Sequence, residues 1–309
     1  MIDLVCVGMA LVDSIIRGFD PQPVSAAGYR AVSGSLCAGG EAVNEASAAA
    51  RLGLRTAILC ALGRDPAGDM VVSALERRGV ITDRIIRSGA TPVTTLFVRE
   101  DGTRRSVTNE AHRRNFHPEK YPALFTDARA LMLGSLFRAP FDDPDIIASV
   151  LGSAARAGQI VFADTKLPNF RVLGLPDLKD VLPLIDYLTP NEDEARYFSG
   201  KDRPEDMADV FLGFGVRNVI IKLGAEGCFL KGADGCFRLP AVPVRAVDTT
   251  GAGDCFLAGF AAKLLNGASP EDALRFANLC GAICTTAVGA DPSGLSPDRS
   301  EAAFRGLYR

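Results

Sequence analysis

Tryptophan is missing from the 309-residue sequence, and histidine occurs only twice, as His112 and His117. Both histidines lie in a charged stretch and are expected at the surface, so we do not expect a histidine-based catalytic triad or metal centre. Paired CxxC spacing is also missing. The cysteines are Cys6, Cys37, Cys60, Cys228, Cys236, Cys255, Cys280 and Cys284. Most of them lie within apolar runs, which predicts buried, reduced thiols rather than a zinc site.

Long hydrophobic runs and an excess of positive charge are missing as well. No stretch approaches the roughly 18 consecutive apolar residues of a membrane helix, and the N-terminus, with Asp3 and no basic segment, does not resemble a signal peptide. Lys and Arg total 34, Asp and Glu total 37, and the net charge is −3. Proteins that bind nucleic acid or membrane surfaces normally carry a basic excess. We therefore expect a cytoplasmic protein that binds neither.

The sequence contains 48% hydrophobic and 23% charged residues, as is typical of a folded globular protein. Its length permits one large α/β domain or two moderate ones. Short apolar segments alternate with helix-like segments, an order that predicts a mostly parallel sheet with helices on both faces. The expected strands are 3–7, 56–62, 130–133, 160–163 and 187–189, and the expected helices are 41–52, 69–78, 145–157 and segments after 253.

Two stretches, about residues 15–36 and 91–108, interrupt this order with glycine, proline and alternating polar and apolar residues. The alternation over 94–103 indicates a β-hairpin. We expect the two stretches to form a small separate sheet that closes over a binding site as a lid. The alternative is an edge sheet with no part in closure.

The strongest chemical motif is Val-Asp-Thr-Thr-Gly-Ala-Gly-Asp-Cys-Phe at residues 247–256, which begins an apolar helix-like segment. Gly251 and Gly253 let backbone amides approach a ligand, and the unpaired N–H groups of a helix start favour an anion. A carboxylate repels phosphate at short range, so Asp254 at this position predicts a base that accepts the proton of an attacking hydroxyl. The alternative is an ordinary first-turn acid stabilised by the helix dipole.

Other glycine-loop proteins do not fit the spacing. The sequence has no GxxxxGK[ST] segment, and Gly-Ala-Gly-Asp-Cys-Phe lacks the third glycine of GxGxxG. A dinucleotide fingerprint would also follow the first strand, where only Gly8 is present. A P-loop NTPase and a nicotinamide-dependent enzyme are therefore disfavoured.

A second motif, Gly-Gly-Glu-Ala-Val-Asn at 39–44, begins an alanine-rich segment, and Asn-Glu-Asp-Glu at 191–194 forms a third. Together with the glycine-rich segment before Asp254, these motifs resemble the ribokinase or PfkB family of carbohydrate and nucleoside kinases. The resemblance spans nearly the whole chain. It implies a single domain, residues 1–309, with a three-layer ribokinase-like α/β fold, a central mostly parallel sheet and a small β-sheet lid.

The resemblance also implies roles for individual residues. Asp254 would be the catalytic base, with Gly251, Ala252 and Gly253 as the anion hole for the transferred phosphoryl group. The sugar-like substrate would contact Asp13, Gly39, Gly40, Asn44, Asp164 and Lys166, with Asn169 beside them. ATP would contact Asn191, Lys222, Gly224, Gly227 and Asn278. As alternatives, Lys222 would be a surface lysine and Asn278 a polar residue on a helix face.

Two cations accompany this resemblance. Asn191 and Glu194 are three residues apart, so they would share one side of a helical turn and hold a hydrated Mg²⁺ through water. The alternative for this pair is a helix-start cap with a solvated acid. In many family members a K⁺ ion lies behind the anion hole. The corresponding residues are Asp248, Thr250, Cys284, Ala287, Gly289 and Ser293, mostly through backbone oxygens.

Glu41 borders the substrate at a position where some family members carry lysine or another residue, so ribose itself is not implied. Arg104, Arg105 and Arg138, near the lid or pocket, leave a phosphate- or carboxylate-bearing substrate open. We expect a Mg²⁺-dependent kinase that transfers the γ-phosphoryl group of ATP to a hydroxyl of a small sugar, as a homodimer formed through the lid. A nucleoside kinase and a non-catalytic binding regulator are the alternatives.

Overall fold

A computed structural model of the chain describes residues 1–18, 30–99, 103–109, 116–290 and 292–308. One large sheet forms its centre, and elements are numbered along the chain. The strands of this sheet are β1 (Ile2–Val7), β4 (Thr56–Leu59), β9 (Ala128–Leu136), β10 (Ile160–Thr165), β11 (Tyr187–Thr189), β12 (Asn218–Lys222), β13 (Cys228–Gly232) and β14 (Gly235–Leu239). Their spatial order is β14-β13-β12-β11-β10-β9-β1-β4. Neighbouring strands are parallel from β12 to β4, whereas β13 and β14 are antiparallel.

Helices cover both faces of the large sheet. They are α1 (Glu41–Arg51), α2 (Pro66–Arg77), α3 (Pro144–Arg156), α4 (Glu192–Ser199), α5 (Pro204–Gly213), α6 (Ala252–Leu265), α7 (Pro270–Cys284) and α8 (Pro297–Tyr308). Alternate residues of a strand point to opposite faces. Leu4 and Cys6 of β1 accordingly belong to a core with α1, α6, α7 and α8, while Val5 and Val7 belong to a core with α3 and α5. The predicted three-layer α/β architecture is confirmed.

A second, four-stranded sheet stands apart from the large one and forms the lid. Its strands are β2 (Leu11–Arg17), β3 (Ser33–Gly39), β7 (Val93–Val98) and β8 (Arg104–Thr108), in the order β3-β2-β7-β8. The antiparallel pair β7–β8 confirms the predicted hairpin. The first lid segment differs from its predicted bounds, because β2 begins at Leu11 rather than near residue 15, and β3 continues to Gly39. Residues 19–29 and 100–102 of the predicted lid lie outside the described residues.

The expected strand over 56–62 is divided at Cys60. Its second part, β5 (Ala61–Leu62), leaves the large sheet and pairs with β6 (Ile86–Arg87) in a separate two-stranded sheet. The shift carries the chain out of the large sheet before α2 begins.

Glycine allows α1 to lie very close to the large sheet. A Cβ at Gly8 would lie 3.1 Å from the carbonyl oxygen of Gly134 and 3.3 Å from the Ala42 side chain. A Cβ at Gly134 would lie 3.2 Å from the Ala42 amide nitrogen. The first turn of α1 is therefore packed against the carboxyl ends of β1 and β9, the edge at which parallel α/β sheets bind ligands.

All eight cysteines are free thiols, and six of them are buried, as expected. Cys37 is half-buried, and Cys236 is exposed because β14 is the edge strand. His117 is partly exposed and lies 3.1 Å from Glu119, whereas His112 lies outside the described residues. Among the described helices, none combines the length and apolarity needed to cross a membrane.

Candidate active site

A cleft of about 1240 Å³ lies between the lid and the carboxyl ends of the large sheet. Residues of the lid and of the large α/β part line it, including most of the site residues predicted from the sequence. The predicted residues that line it are Asp13, Gly40, Glu41, Asn44, Arg138, Asp164, Lys166, Asn169, Asn191, Lys222, Gly224, Gly227, Thr250, Gly251, Ala252, Gly253, Asp254 and Asn278. The fold therefore brings motifs that are distant in the sequence together in one cleft.

Asp254 lies in the first turn of α6, and its side chain is almost fully buried. The Asn44 side-chain amide donates a hydrogen bond of 2.7 Å to Asp254 Oδ2. Burial raises the pKa of the Asp254 carboxyl to about 6. Lys166 opposes this shift, whereas the carboxylates of Glu41 and Asp164 add to it. The carboxyl is thus a stronger base than an exposed aspartate, yet it is ionised at neutral pH.

The turn before Asp254 requires glycine. Gly251 is the N-cap of α6 with a φ of 76°, and a Cβ there would lie 2.5 Å from the Ala290 Cβ. The Ala252 amide donates to the Thr249 carbonyl at 3.2 Å. The amides of Gly253 and Asp254 follow in the first turn of the helix, where N–H groups have no intrahelical acceptor. This arrangement suits an anion placed at the start of α6.

Lys222 lies at the same place from the opposite side. A Cβ at Gly253 would lie 3.2 Å from Lys222 Nζ, so this ammonium group adjoins the start of α6. Lys222 also forms an ion pair of 2.5 Å with Asp164, which is buried and accepts a second hydrogen bond from Thr189. The alternative of a surface lysine is wrong, because the Lys222 side chain is only 13% exposed.

The end of the cleft at which the sequence predicts substrate contacts is built around Asp13 on β2. A Cβ at Gly39 would lie 2.0 Å from Asp13 Oδ2, and a Cβ at Gly40, whose φ is 97°, would lie 2.4 Å from the Met9 carbonyl oxygen. Glycine at position 39 leaves the space that the Asp13 carboxylate occupies, and glycine at position 40 lets the start of α1 pass close to the Met9–Ala10 backbone. Burial, with the nearby charge of Glu41, raises the pKa of Asp13 to about 6.

Lys166 lies between the two ends of the cleft. Its ammonium is 3.9 Å from Glu41 Oε1. Burial alone would lower the pKa of Lys166, but the surrounding carboxylates, of which Asp164 is the strongest, outweigh burial and raise it. Lys166 therefore stays charged. Arg138 donates to the Leu167 carbonyl at 2.9 Å and lines the cleft. Arg105 is exposed on β8, and nothing is described of the Arg104 side chain.

Asn191 and Glu194 form a capping box at the start of α4. Asn191 Oδ1 accepts from the Glu194 amide at 2.9 Å, and Glu194 Oε2 accepts from the Asn191 amide at 3.0 Å. Thr165 also donates to Glu194, whose side chain is buried rather than solvated. Burial and the charge of Asp164 raise the pKa of Glu194. The cap expected as the alternative is present, but the acid in it faces inward.

The residues expected around the nucleotide line the far part of the cleft. Gly227 has a φ of 98°, and a Cβ there would lie 2.0 Å from the Leu239 carbonyl oxygen, so the turn after Lys222 admits only glycine. Asn278 on α7 donates to the Pro240 carbonyl at 2.6 Å, which holds the 240–246 segment along the cleft wall.

Four of the residues named for a monovalent cation, Asp248, Thr250, Cys284 and Gly289, are joined by hydrogen bonds next to the start of α6. Asp248 accepts hydrogen bonds from the amides of Thr250 and Gly289, and the Cys284 thiol donates to the Thr250 carbonyl at 3.6 Å. Ala287 and Ser293 lie in the neighbouring turns, and the Ala287 amide donates to the Cys284 carbonyl. Arg17, at the end of β2, approaches Asp248 to 3.9 Å and links the lid to this loop.

Two features were missed by the sequence prediction. Thr94, Ser106 and Thr108 place hydroxyl groups from the lid on the cleft. Glu45, which follows Asn44 on α1, is fully buried beside Asp254 and Asp164. A glutamate within an alanine-rich, otherwise apolar helix face was the available signal for this second feature.

Comparisons with solved structures define the fold as ribokinase-like. The chain superposes with a TM-score of 0.85 on Arabidopsis thaliana ribokinase in complex with ribose and ATP, at 24% identity over 99% of both chains. The TM-score with Thermotoga maritima ribokinase is 0.81, at 27% identity over 99% of this chain and 100% of the other. An Escherichia coli structure in complex with ATP and Mg²⁺ gives 0.82 at 25% identity over the full length of both chains.

The sequence comparisons add the family. Residues 1–297 match the family model for pfkB family carbohydrate kinases, and the chain belongs to this family. Its curated relatives include the 2-dehydro-3-deoxygluconokinase of Bacillus subtilis, 31% identical over 86% of each chain. The ATP-dependent ribose-1-phosphate kinase of Halopiger xanaduensis is 32% identical over 82% of this chain and 81% of its own. The predicted class, an ATP-dependent carbohydrate kinase, is confirmed.

Proposed function

We propose that this kinase transfers the γ-phosphoryl group of ATP to a hydroxyl of a small sugar bound between Asp13 and Asp254. The observation that carries the proposal is the hydrogen bond from Asn44 to Asp254, which joins the two glycine motifs at one buried base. The substrate hydroxyl oxygen forms a bond to the γ-phosphorus as the bond to the β-phosphate oxygen breaks. Asp254 accepts the hydroxyl proton, and ADP leaves with the electrons of the broken bond.

The start of α6 and Lys222 are suited to stabilise the transferred group. Negative charge on the phosphoryl oxygens is stabilised best by hydrogen-bond donors that are already in position. Gly253 and Asp254 supply amides from the helix start, and the Lys222 ammonium adjoins Gly253. Gly224 and Gly227 follow on the turn that would lie beside the ATP phosphates or ribose, and Asn278 would lie beside the adenine ring of ATP.

The sugar would lie beneath the lid. Asp13 and Asn44 offer a carboxylate acceptor and an amide to its hydroxyls, and Gly39 and Gly40 leave the space for them. Lys166 and Asn169 line the adjoining wall. Because Lys166 is charged and Arg138 also lines the cleft, substrates that carry a carboxylate or phosphate belong in the assay.

Mg²⁺ fits the cap of α4. Carboxylate and amide oxygens are ligands that Mg²⁺ accepts, usually with several waters retained. Asn191 lines the cleft and Glu194 lies directly behind it, so both would hold the hydrated ion through water. When bound, the ion neutralises charge on the ATP phosphates. We also assign the Asp248, Thr250, Cys284, Ala287, Gly289 and Ser293 cluster to K⁺. Dependence of turnover on each cation tests both assignments.

Oligomeric state and location complete the proposal. The lid sheet exposes apolar side chains, with Leu36 62% and Val107 66% exposed, and we propose that a second copy of the chain covers them in a homodimer. Eight free thiols fit the reducing cytoplasm. Cell fractionation tests that location. Because the cleft takes residues from both halves of the chain, we retain the prediction of one domain over residues 1–309.

The decisive experiment is ATP turnover across a panel of acceptors. It contains ribose, fructose, 2-dehydro-3-deoxygluconate, ribose 1-phosphate and nucleosides, with the Asp254→Asn variant beside the native enzyme. We expect one sugar or sugar acid to be phosphorylated efficiently by the native enzyme and not by the variant. Turnover confined to nucleosides would overturn the proposed substrate class.

A further inference from the structure

Glu45 is a buried acid that has no role in the mechanism proposed above. Its side chain is fully buried, and neither carboxyl oxygen has a hydrogen-bond partner. A Glu45 oxygen and carboxylate oxygens of Asp164 and Asp254 all lie within 4.8 Å of one another. On the other side, the Glu45 carboxyl faces Gly134, where a Cβ would lie 3.0 Å from Oε2. An unpaired buried carboxyl beside two acids requires an explanation.

The two neighbouring acids differ from Glu45 in their partners. Asn44 donates to Asp254, and Lys222 forms an ion pair with Asp164. These contacts stabilise the charged forms of the two aspartates. Glu45 has no such contact, and burying an ionised carboxylate without a partner is costly. When several carboxylates share a site, the proton goes to the one whose charge is least stabilised.

Charge balance leads to the same protonation state. Lys166 and Lys222 place two ammonium groups among the three buried carboxylates. With Glu45 neutral, Asp164, Asp254 and the nearby Glu194 already offset these two positive charges, so no ammonium group is left to compensate a charge on Glu45. With Glu45 ionised, the buried group carries an uncompensated negative charge next to the place where the phosphoryl group is transferred.

The charged and titratable groups that face Glu45 come from several elements. They are Asp254 on α6, Asp164 on β10, Lys222 on β12, Glu41 on α1 itself and the Cys6 thiol on β1. Burial raises the pKa of the Glu45 carboxyl well above its usual value, and the three acids raise it further, whereas Lys222 lowers it. The geometry and the raised pKa therefore both indicate that the Glu45 carboxyl is protonated.

We propose that Glu45 stays protonated in the working enzyme and that its carboxyl turns to close the gap of at most 4.8 Å to Asp254, where its hydroxyl donates a hydrogen bond to the carboxylate as a positioning residue for the base. The proposal rests on the role of Asp254 proposed above. Asn44 and Glu45, consecutive on α1, would together orient the carboxylate toward the substrate hydroxyl. Glu45 keeps its proton throughout, and Asp254 alone accepts and releases the proton of the substrate.

Two variants of similar size separate hydrogen-bond donation from simple packing. Glu45→Gln retains a neutral donor, and Glu45→Met retains the bulk without one. We expect Glu45→Gln to keep kcat within about threefold, whereas Glu45→Met loses about tenfold or more, the cost of about one buried hydrogen bond. KM for sugar and ATP should change less than about twofold, because binding contacts are intact. Equal losses in both variants would mean that an ionised carboxylate is required, and full activity in both would mean that Glu45 only fills space. Either result overturns the proposal.

A direct measurement reads the protonation state in the native protein and uses the Glu45→Gln variant only to assign the signal. In protein labelled with ¹³C at the glutamate carboxyl carbons, we expect a resonance at the protonated position at neutral pH that is lost in Glu45→Gln. If that resonance instead has the shift of an ionised carboxyl, Glu45 is not protonated and the proposal fails. The Asp254→Asn variant tests the base separately: if it remains active, the proposed mechanism fails while the protonation state of Glu45 is still decided by this spectrum.

Discussion

The side chain of Asp254 owes its properties to neighbours from α1, β10, β12 and the loop after β10. Asn44 of α1 donates to it, Lys166 after β10 compensates its charge, and Asp164 with Lys222 adjoins it. An ordinary first-turn acid, stabilised by the helix dipole alone, would be exposed and would have no such neighbours. The burial of Asp254 at the bottom of a cleft therefore favours a catalytic role over a helix-stabilising one.

Asp254→Asn should lower kcat by a factor of about 10² to 10⁴, the range typical of a lost general base, with little change in KM for ATP. The matched control is Asp272→Asn, which removes an exposed first-turn acid from the adjacent helix α7. Steady-state kinetics on both variants decide between the two roles. Similar, small effects of the two substitutions would show that Asp254 only stabilises its helix.

The pH dependence of kcat should show the same base. Burial raises the pKa of Asp254 to about 6, so the carboxyl gains a proton as the pH falls through 6 and no longer accepts one from the substrate. We expect kcat to fall about tenfold per pH unit below that value and to level off above it. The pKa of Asp13 is also raised to about 6, but we propose that Asp13 contacts the sugar, so Asp13→Asn should change KM for the sugar and leave the fall in kcat in place. A kcat that stays constant down to pH 4 would contradict the assignment.

At the scale of elements, strand β3 shapes the end of the cleft where we propose that the sugar binds. It ends at Gly39, directly before the N-cap Gly40 of α1, and runs antiparallel to β2, with Cys37 opposite Asp13 and Gly39 opposite Leu11. The atom that a Cβ at Gly39 would meet is the end of a movable side chain, not backbone. A substitution there should displace the Asp13 carboxylate rather than disrupt the fold.

Gly39→Ala should therefore raise KM for the sugar by about tenfold or more, the loss expected for one hydrogen bond to a charged group, and leave KM for ATP nearly unchanged. The control is Gly34→Ala in the same strand, because a Cβ at Gly34 meets nothing within 4 Å. It should behave as the native enzyme. If both variants bind sugar normally, Asp13 is not a sugar contact.

Elements with strong local signals were predictable from the sequence. The alternation after Thr94 gave the β7–β8 hairpin, and the apolar run from Asp3 gave β1. Positions that depend on pairing with distant strands were not. Strand β2 begins with the apolar residues Leu11 and Val12, before the predicted start of the lid segment near residue 15, so Asp13 lies on a lid strand. Glu45 was missed because its neighbours Asp164 and Asp254 come from other parts of the chain.

At the scale of the whole molecule, the lid and the large body share the cleft. Asp13, Thr94 and Ser106 line it from the lid, and the loop before α6 is reached from the lid by Arg17. Movement of the lid would thus change both the proposed sugar site and the loop before α6, where the phosphoryl group is proposed to bind. Closure of such a lid over the bound sugar would exclude water, which otherwise competes as acceptor.

The proposed dimer predicts a mass of two chains in light scattering. Val107→Asp places a charge on the exposed face of the lid sheet and should convert the protein to a single-chain mass. Val172→Asp is the control, because Val172 is 73% exposed but lies outside the lid sheet. A single-chain mass for the native protein over a range of concentrations would contradict pairing through the lid.

The contact between Asn44 and Asp254 joins residues 210 positions apart, and it has a consequence for biosynthesis. The buried alanines of α1 share a core with α6, α7 and α8, which are made last. Until those helices leave the ribosome, the large sheet covers only part of α1 and the side that packs on α6 is exposed, and exposed apolar surface of this kind makes a nascent chain prone to aggregation. A chain that stops before α6 lacks both the proposed base and the cover for its first helix, so substrate binding and completion of this core arise together at the end of translation.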